Sequence, residues 1–375
     1  MSSKKEIFIF TMSMGSGGAE RVISLLLPLL IKDYRVTLFL VINNIHYQIP
    51  SEVEVHVASS KKNLGTLERI IMLPEIVTSY KRLLQNKKPW VSMSFLLQPN
   101  LINGMLKSDF PDTKFILSER CYPSMEYKSS RLKYGLYKIL IKKYYNLADL
   151  VFSNSKEINN DLFRNFEVTN QMKVLYNPVN VMPSNNYSLS NEKFRIITVG
   201  RLIPVKNQVL IPEAIQLLEN KNSIFLEIVG EGHLRGKLEF YKGKININLI
   251  GNSNNVTKYL ANSDCFILSS NSEGFPNALL EAMAMGLPVI STNCKSGPLE
   301  LLNNGESIQI SQGSFAEAKF GILVNVDDII GMAKAISFLH ENSDKRKQYS
   351  KLSFERSHDF SLETIYKQLN FNILQ

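Results

Sequence analysis

Short runs rich in β-branched and aromatic residues alternate along the chain with longer stretches of helical periodicity. In the first half several of these runs are apolar at consecutive positions, as strands buried on both faces of a parallel sheet are. This alternation predicts a doubly wound α/β sheet. Its strands are predicted at residues 6–11, 35–42, 53–58, 90–95, 114–118, 150–153 and 173–176, and helices between them at 20–30, 66–84 and 131–145.

The alternation stops after Asn177-Pro178 at a Ser- and Asn-rich segment, residues 183–192, which has the composition of a linker. It then restarts, with strands predicted at 195–199, 225–229, 247–250, 265–268, 288–291 and 321–324.

The length of 375 residues exceeds what one ordinary hydrophobic core accommodates. We therefore predict two Rossmann-like domains, residues 1–185 and 186–356, with a helix at about 357–375 that packs back on the first. Since α/β sheets bind ligands at the carboxyl ends of their strands, the predicted site is a cleft between the two domains.

The loop after the first predicted strand contains Gly17 and Gly18 and opens a helix. Glycine allows a close backbone approach, and free amides at a helix start attract anions. The spacing matches neither the dinucleotide fingerprint nor a P-loop. A tight strand-to-helix turn without a ligand explains the loop equally well.

Two basic residues, Arg201 and Lys206, follow the first strand of the second domain within one loop. A bidentate guanidinium and an ammonium at the carboxyl edge of a sheet suit a diphosphate. The simpler alternative is two solvated surface charges.

Two carboxylates, Glu273 and Glu281, flank the start of a helix that Pro276 is suited to open. The amides of the first turn can meet a phosphate or sugar oxygen, and each carboxylate can hold a pair of hydroxyls. Glu281 as an ordinary exposed helix residue is the alternative, although its apolar neighbours argue against an unpaired charge.

These motifs occur in a fixed order across nearly the whole chain: the glycine loop, Gly-Arg-Leu with Lys-Asn behind it, Gly230-Glu-Gly, Leu-Ile-Gly251 and Glu-x7-Glu. The ordered set resembles glycosyltransferase family 4, retaining enzymes with the GT-B fold. The resemblance implies a retaining, metal-independent hexosyltransferase with no cofactor, which uses a UDP-sugar as its co-substrate.

The resemblance also implies roles for individual residues. Arg201 and Lys206 match the pair that neutralises the donor diphosphate. Glu273 matches the carboxylate at the donor sugar and, with that pair, is a predicted catalytic residue, while Glu281 matches the one at the ribose. The remaining predicted substrate-binding positions are Gly17, Gly18, Gly230, Gly251, Gly274, Phe275, Pro276 and Asn277.

One position departs from the pattern that the resemblance implies. Many relatives read Ser-Glu-His where this chain reads Ser118-Glu119-Arg120, and some read Ser-Glu-Arg. Arg120 is permanently charged and suits an acceptor phosphate better than a role as a base. A structural ion pair with Glu119 or Asp149 is the alternative.

The net charge of +9 is confined to the first half, where residues 1–185 hold 24 basic and 15 acidic side chains. On a helical wheel of residues 131–145, Leu132, Leu136, Ile139 and Leu140 share one face, and we expect that face to be core. The tyrosines and lysines opposite would then be exposed and suit an anionic membrane. An ordinary solvated helix face is the alternative.

The opening glycine motif and Lys295-Ser-Gly297 resemble bacterial transferases that add an N-acetylhexosamine, often GalNAc, to undecaprenyl-diphosphate-linked glycans. This implies a role in surface polysaccharide, O-antigen or protein-glycan assembly. An enzyme of the same fold that acts on lipopolysaccharide core or a soluble acceptor is the first alternative. A nucleic-acid-binding protein is a distant one, because no reader motif is present. A non-catalytic sugar-nucleotide regulator is a further alternative.

Three widely spaced cysteines and the lack of a signal or spanning segment indicate a cytoplasmic protein. We expect it to be peripheral on the cytoplasmic face of the bacterial inner membrane.

Overall fold

A computed structural model describes residues 4–128, 130–181 and 193–374. The chain divides into two compact units, which are named here unit 1 (Met1–Pro178 with Ile365–Gln375) and unit 2 (Val179–Thr364). The predicted domain boundary between residues 185 and 186 lies outside the described residues. The cleft that the sequence suggests between the domains stays a prediction.

Unit 1 is built on a seven-stranded parallel sheet of order β3-β2-β1-β4-β5-β6-β7. The strands are β1 Glu6–Thr11, β2 Arg35–Ile42, β3 Glu54–Ser59, β4 Val91–Phe95, β5 Lys114–Glu119, β6 Leu150–Ser153 and β7 Met172–Val174. The helices are α1 Gly18–Asp33, α2 Thr66–Ile71, α3 Leu73–Lys87, α4 Leu97–Leu106, α5 Pro123–Glu126, α6 Arg131–Tyr145 and α7 Lys156–Phe166.

Unit 2 repeats this plan with the order β10-β9-β8-β11-β12-β14-β13. Its strands are β8 Phe194–Val199, β9 Ile224–Val229, β10 Asn246–Gly251, β11 Cys265–Leu268, β12 Val289–Thr292, β13 Phe315–Ala318 and β14 Gly321–Val324. Its helices are α8 Leu210–Gln216, α9 Arg235–Glu239, α10 Val256–Ala261, α11 Asn277–Ala284, α12 Pro298–Asn303, α13 Ile329–Glu341 and α14 Ser343–Ser357; helix α15 Leu362–Leu374 runs on into unit 1.

The predicted α/β class is confirmed, and the apolar runs match the strands to within about two residues. One edge strand was missed: β13 pairs antiparallel with β14 and has a partly exposed, mixed sequence without a continuous apolar run. The helix predicted at 66–84 is two helices. Pro74 lies in the first turn of α3, where proline is tolerated, and because it has no N–H it cannot donate the hydrogen bond that would extend α2.

The face assignment of α6 is wrong. Leu132, Leu136 and Ile139 are 88%, 53% and 65% exposed, whereas Tyr145 is fully buried. Tyr134 packs on the ring of Phe166 at 5.6 Å. The tyrosine face is therefore core and the leucine face is exposed.

The physical reason lies in the partners that unit 1 offers to the tyrosine face. The Tyr145 hydroxyl donates to Glu119 Oε2 at 2.7 Å and accepts from Asn100 Nδ2 at 3.1 Å. A tyrosine can be buried when its hydroxyl has such partners. Gly104 of α4 also lets that helix meet the α6 backbone so closely that a Cβ there would overlap the Tyr144 carbonyl.

Within the described ranges, no helix combines the length and apolar character that crossing a membrane requires.

Candidate functional site

The candidate site of unit 2 lies where its strand order reverses. Strands β8 and β11 are neighbours at the centre of the sheet although two strands separate them in sequence. The loop after β8 carries Arg201 and Lys206, and the loop after β11 carries Glu273. Such a switch point is where open α/β sheets form ligand crevices.

Three glycines bring the loops after β8, β9 and β10 into backbone contact. The Gly200 amide donates to the Val229 carbonyl at 2.9 Å, and the Gly230 amide donates to the Gly251 carbonyl at 2.8 Å. A Cβ on Gly230 would overlap the Gly200 carbonyl. Any side chain at Gly230 would force these loops apart, which explains why the motif requires glycine.

Lys206 ends a short 3₁₀ helix, Pro204–Lys206, in the loop after β8. Its carbonyl accepts from Ser269 Oγ at 3.0 Å, which ties the loop to the end of β11. Arg201, next to Gly200, is exposed, and its carbonyl accepts from Gln208 Nε2 at 3.0 Å. The structure thus fixes the backbone at both basic residues and leaves the Arg201 guanidinium in solvent.

Lys206 and Glu273 form an ion pair that the sequence did not indicate. Lys206 Nζ lies 2.6 Å and 2.7 Å from the two Glu273 carboxylate oxygens, and Ser270 Oγ donates to Oε1 at 2.6 Å. The Glu273 side chain is 8% exposed and that of Lys206 24%. These three donors fix the direction of the buried carboxylate.

Lys206 and Glu273 do not use all of their hydrogen-bonding positions on each other. An ammonium has three N–H donors and a carboxylate about four acceptor positions. Lys206 uses two donors on Glu273, and three acceptor positions of Glu273 are occupied. Among the described residues, one N–H donor of Lys206 stays available for an anion, and one acceptor position on Glu273 Oε2 stays available for a hydroxyl.

A second loop, after β12, holds the Glu273 backbone in place. The Glu273 amide donates to the Lys295 carbonyl at 2.9 Å, and the Ser296 amide donates back to the Glu273 carbonyl at 3.1 Å. Ser296 Oγ also donates to the Gly274 carbonyl at 2.6 Å. Ser270 and Ser296 are therefore site residues that the sequence analysis did not assign; Ser270 follows a predicted strand closely, and Ser296 lies in the Lys295-Ser-Gly297 motif.

Helix α11 begins at Asn277 with Pro276 as its N-cap, as the motif predicts. Phe275 is buried, and its ring lies 5.5 Å from that of Phe360. The Phe275 side chain thus anchors the loop. Glu281 is the fifth residue of α11 and is half-buried.

In unit 1, Gly17 is the N-cap of α1 and Gly18 its first residue. The Glu20 carboxylate folds back onto Gly17 so closely that a Cβ there would overlap it. An acidic side chain thus lies at the amino end of α1, where the dipole favours negative charge. The predicted anion role of this loop requires Glu20 to move aside.

Arg120 follows β5 of unit 1 and is 8% exposed. Neither of the predicted ion-pair partners holds its guanidinium. Asp149 instead pairs with Lys107 at 2.8 Å, and Glu119 accepts from the Tyr145 hydroxyl and from the Arg120 and Cys121 amides. Burial raises the pKa of Glu119 and lowers that of Arg120 to about 10, so Arg120 stays charged at neutral pH.

In the part of the chain that the structure describes, no three His, Cys, Asp or Glu side chains converge into a group that could hold a metal ion.

Comparison with known proteins gives a consistent result. Residues 184–356 match the family described as glycosyl transferases group 1. The chain is 32% identical over 366 residues to a Campylobacter jejuni protein named N-acetylgalactosamine-N,N'-diacetylbacillosaminyl-diphospho-undecaprenol 4-alpha-N-acetylgalactosaminyltransferase, an alignment that covers 95% of this chain and 96% of the relative.

A second Campylobacter jejuni relative is 25% identical over 366 residues, with 95% of this chain and 94% of the relative covered. It is named GalNAc-alpha-(1->4)-GalNAc-alpha-(1->3)-diNAcBac-PP-undecaprenol alpha-1,4-N-acetyl-D-galactosaminyltransferase. Among solved structures, HepE from Anabaena in complex with UDP matches with a TM-score of 0.73 at 17% identity, over 98% of this chain and 99% of that one. The likeness to HepE shows that the two chains share a fold.

The predictions of a GT-B fold and of glycosyl transfer are thereby confirmed, and the chain belongs to the group 1 glycosyltransferases.

Proposed function

We propose that this glycosyltransferase transfers an N-acetylhexosamine, GalNAc in the first place, from a UDP-sugar to an undecaprenyl-diphosphate-linked glycan. The observation that carries the proposal is the 32% identity, along nearly the whole of both chains, to a transferase named for that donor sugar and that lipid diphosphate. Similarity of this extent includes unit 1 as well as unit 2, and so covers both halves of the enzyme.

The geometry of unit 2 supports a UDP-sugar as the donor. Negative charge develops on the leaving diphosphate as the glycosidic bond breaks, and fixed cations stabilise that charge best. Lys206 is fixed by Glu273, and Arg201 is free to reach a phosphate. The spare acceptor position of Glu273 suits a hydroxyl of the transferred sugar, and Glu281 is proposed at the ribose.

We further propose that transfer retains the anomeric configuration and needs no metal ion or cofactor. Two cationic side chains at one loop supply the charge neutralisation that a divalent cation gives to a diphosphate elsewhere. Activity should therefore persist in excess EDTA, and product NMR should show the donor's α configuration.

The test is to incubate the purified chain with short polyprenyl-diphosphate sugars and a panel of UDP-sugars. We expect a product heavier by one N-acetylhexosamine unit, or by several, from UDP-GalNAc. Transfer only to lipopolysaccharide core or to a soluble glycan would overturn the proposed acceptor, and transfer only from another UDP-sugar would overturn the proposed donor.

We also propose that unit 1 docks on an anionic membrane through the exposed face of α6, which would place the enzyme at the cytoplasmic face of the inner membrane. Leu132, Leu136 and Ile139 form that face, and Lys133 and Lys143 on the same helix are exposed. An apolar stripe flanked by basic residues is the pattern of helices that lie in a membrane interface.

Helix α2 of unit 1 presents a second apolar group. Leu67, Ile70 and Ile71 are 70%, 63% and 68% exposed. Lys62 and Arg69 are close in sequence. Each apolar side chain that enters the interface adds to the membrane affinity.

The membrane proposal predicts that Leu136→Glu lowers vesicle binding at least about tenfold. The change removes an apolar group worth roughly 1.5 kcal/mol or more on burial and adds a charge that anionic lipid repels. Flotation with phosphatidylglycerol-containing vesicles measures the effect. Leu217→Glu in unit 2, where Leu217 is 59% exposed, is the matched control and should float like the parent. Equal flotation of both variants would contradict the proposed surface.

A further inference from the structure

Among the described residues, the Arg120 guanidinium is held through one of its three nitrogens. Nη1 donates to the Leu175 carbonyl at 3.2 Å and to Asn177 Oδ1 at 3.1 Å. The Phe95 ring lies 5.3 Å from the guanidinium carbon. Nε and Nη2 are buried and have no hydrogen-bond partner among the described residues.

The two unpartnered nitrogens lie along the same edge of the guanidinium. Their N–H bonds are nearly parallel, the arrangement that binds two oxygens of one phosphate or carboxylate. Burying a charge without such partners is costly. Asp149 and Glu119 are engaged elsewhere, and no carboxylate among the described residues occupies this edge.

Asn154 stands beside Arg120 on the neighbouring strand end. Glu119 of β5 is in register with Ser153 of β6, so the next residues, 120 and 154, follow at the same level. Asn154 is 2% exposed, and its Nδ2 donates to the Asn177 Oδ1 that also receives Arg120. Asn154 Oδ1 has no donor in the part of unit 1 that the structure describes.

Asn177 therefore holds two side chains that each keep an unsatisfied, buried polar edge. The Arg120 edge can donate two N–H hydrogen bonds and suits an oxyanion. Asn154 Oδ1 can accept a hydrogen bond and suits a hydroxyl. A sugar joined to a phosphate offers both groups within one ligand.

We propose that Arg120 and Asn154 form a subsite for a glycosyl phosphate, with two phosphate oxygens on the Arg120 edge and a sugar hydroxyl on Asn154 Oδ1. This inference rests on the proposed function, in which the donor and the acceptor each contain a sugar diphosphate. Because the unpartnered nitrogens are closed off from solvent in this structure, ligand entry requires the loop after β5 to shift locally.

The test is steady-state kinetics of Arg120→Lys, which keeps the charge and loses the paired edge. We expect the KM for one sugar diphosphate to rise about tenfold to a hundredfold. Asn154→Ala should raise the same KM about tenfold. Arg164→Lys, at an exposed position of α7, is the control and should leave both KM values unchanged.

The source of the phosphate is identified by a second substrate. If the acceptor binds here, replacing its diphosphate by a neutral linker raises the acceptor KM of the parent enzyme. The same replacement leaves the already raised acceptor KM of Arg120→Lys unchanged. If the donor binds here, the KM for the UDP-sugar rises instead, and calorimetry shows weaker UDP binding.

Unchanged KM values for both substrates in Arg120→Lys and Asn154→Ala would overturn the subsite. An Arg120→Lys variant that melts well below the parent, together with a normal KM in Asn154→Ala, would also overturn it in favour of a structural role. Failure of the proposed function is a different result, namely no transfer to any lipid-linked diphosphate by the unmodified chain. In that case, UDP titration of the variants still tests the donor arm.

Discussion

Lys206→Met is expected to lower kcat/KM by roughly 10²–10³-fold, the cost of removing one fixed group that stabilises developing negative charge. Methionine keeps most of the length of the side chain and removes the ammonium. The proposed diphosphate then loses its positioned cation, since Arg201 is exposed and forms no ion pair among the described residues. A sugar-transfer assay with UDP-GalNAc measures the effect, and Lys258→Met, at an exposed position of α10, should retain full activity.

The same substitution also tests whether the Lys206–Glu273 pair stabilises unit 2. Without Lys206, the buried Glu273 carboxylate keeps only the Ser270 hydroxyl as a side-chain donor. Leaving a buried charge unpaired costs about 3 kcal/mol, and for a unit of this size that corresponds to a melting temperature lower by roughly 6–12 °C.

The double variant Lys206→Met/Glu273→Gln separates the two effects. A neutral amide in place of the carboxylate removes the unpaired charge, so we expect most of the stability to return while activity stays low. Recovery of activity together with stability would show that Lys206 acts only through folding. Full activity of the single variant would exclude its proposed role at the diphosphate.

The sequence was sufficient to predict the strands of both sheets, because a buried parallel strand needs a continuous apolar run. It was also sufficient to place Arg201, Lys206 and Glu273 at the carboxyl ends of strands. It did not show that Lys206 and Glu273 contact each other, since 67 residues separate them. That contact follows from the pairing of β8 with β11, a tertiary fact that local periodicity does not contain.

The error in α6 has a related cause. A helical wheel shows which residues share a face but not which face the rest of the chain covers. Leucine was expected inside and tyrosine outside, yet Glu119 at the end of β5 needed hydroxyl and amide donors, and Tyr145 supplies one of them. A buried carboxylate at the end of an apolar strand, next to a tyrosine-rich helix, was the signal that could have reversed the assignment.

Arg120 shows where a motif resemblance is least informative. The resemblance marked the position, and the permanent charge of arginine suggested an acceptor phosphate there. Only the structure shows that Nη1 is anchored while Nε and Nη2 remain unpaired. That geometry adds the paired donor edge and the neighbouring Asn154 Oδ1, which extend the expected phosphate to a glycosyl phosphate.

Gly230→Ala is expected to destabilise unit 2 by about 3 kcal/mol or more. The new Cβ would overlap the Gly200 carbonyl, and Gly230 has a φ of +144°, which side chains rarely adopt. Since the obstacle is backbone, the loops after β8 and β9 must separate and the hydrogen bond from Gly230 to Gly251 is strained. Calorimetric melting should show the loss, and UDP titration should show weakened or absent binding.

Gly236→Ala, six residues later, makes the same chemical change where nothing lies within 4 Å of the new Cβ. Gly236 is exposed within α9, so alanine there should raise the stability by about 0.5–1 kcal/mol through helix propensity and leave UDP binding intact. The two variants thus differ in what the methyl group meets and in the backbone conformation that alanine must adopt. If both melt at the same temperature, the backbone contact between Gly200 and Gly230 is not what requires glycine in this motif, and the close packing of the three loops cannot be what organises the candidate donor site.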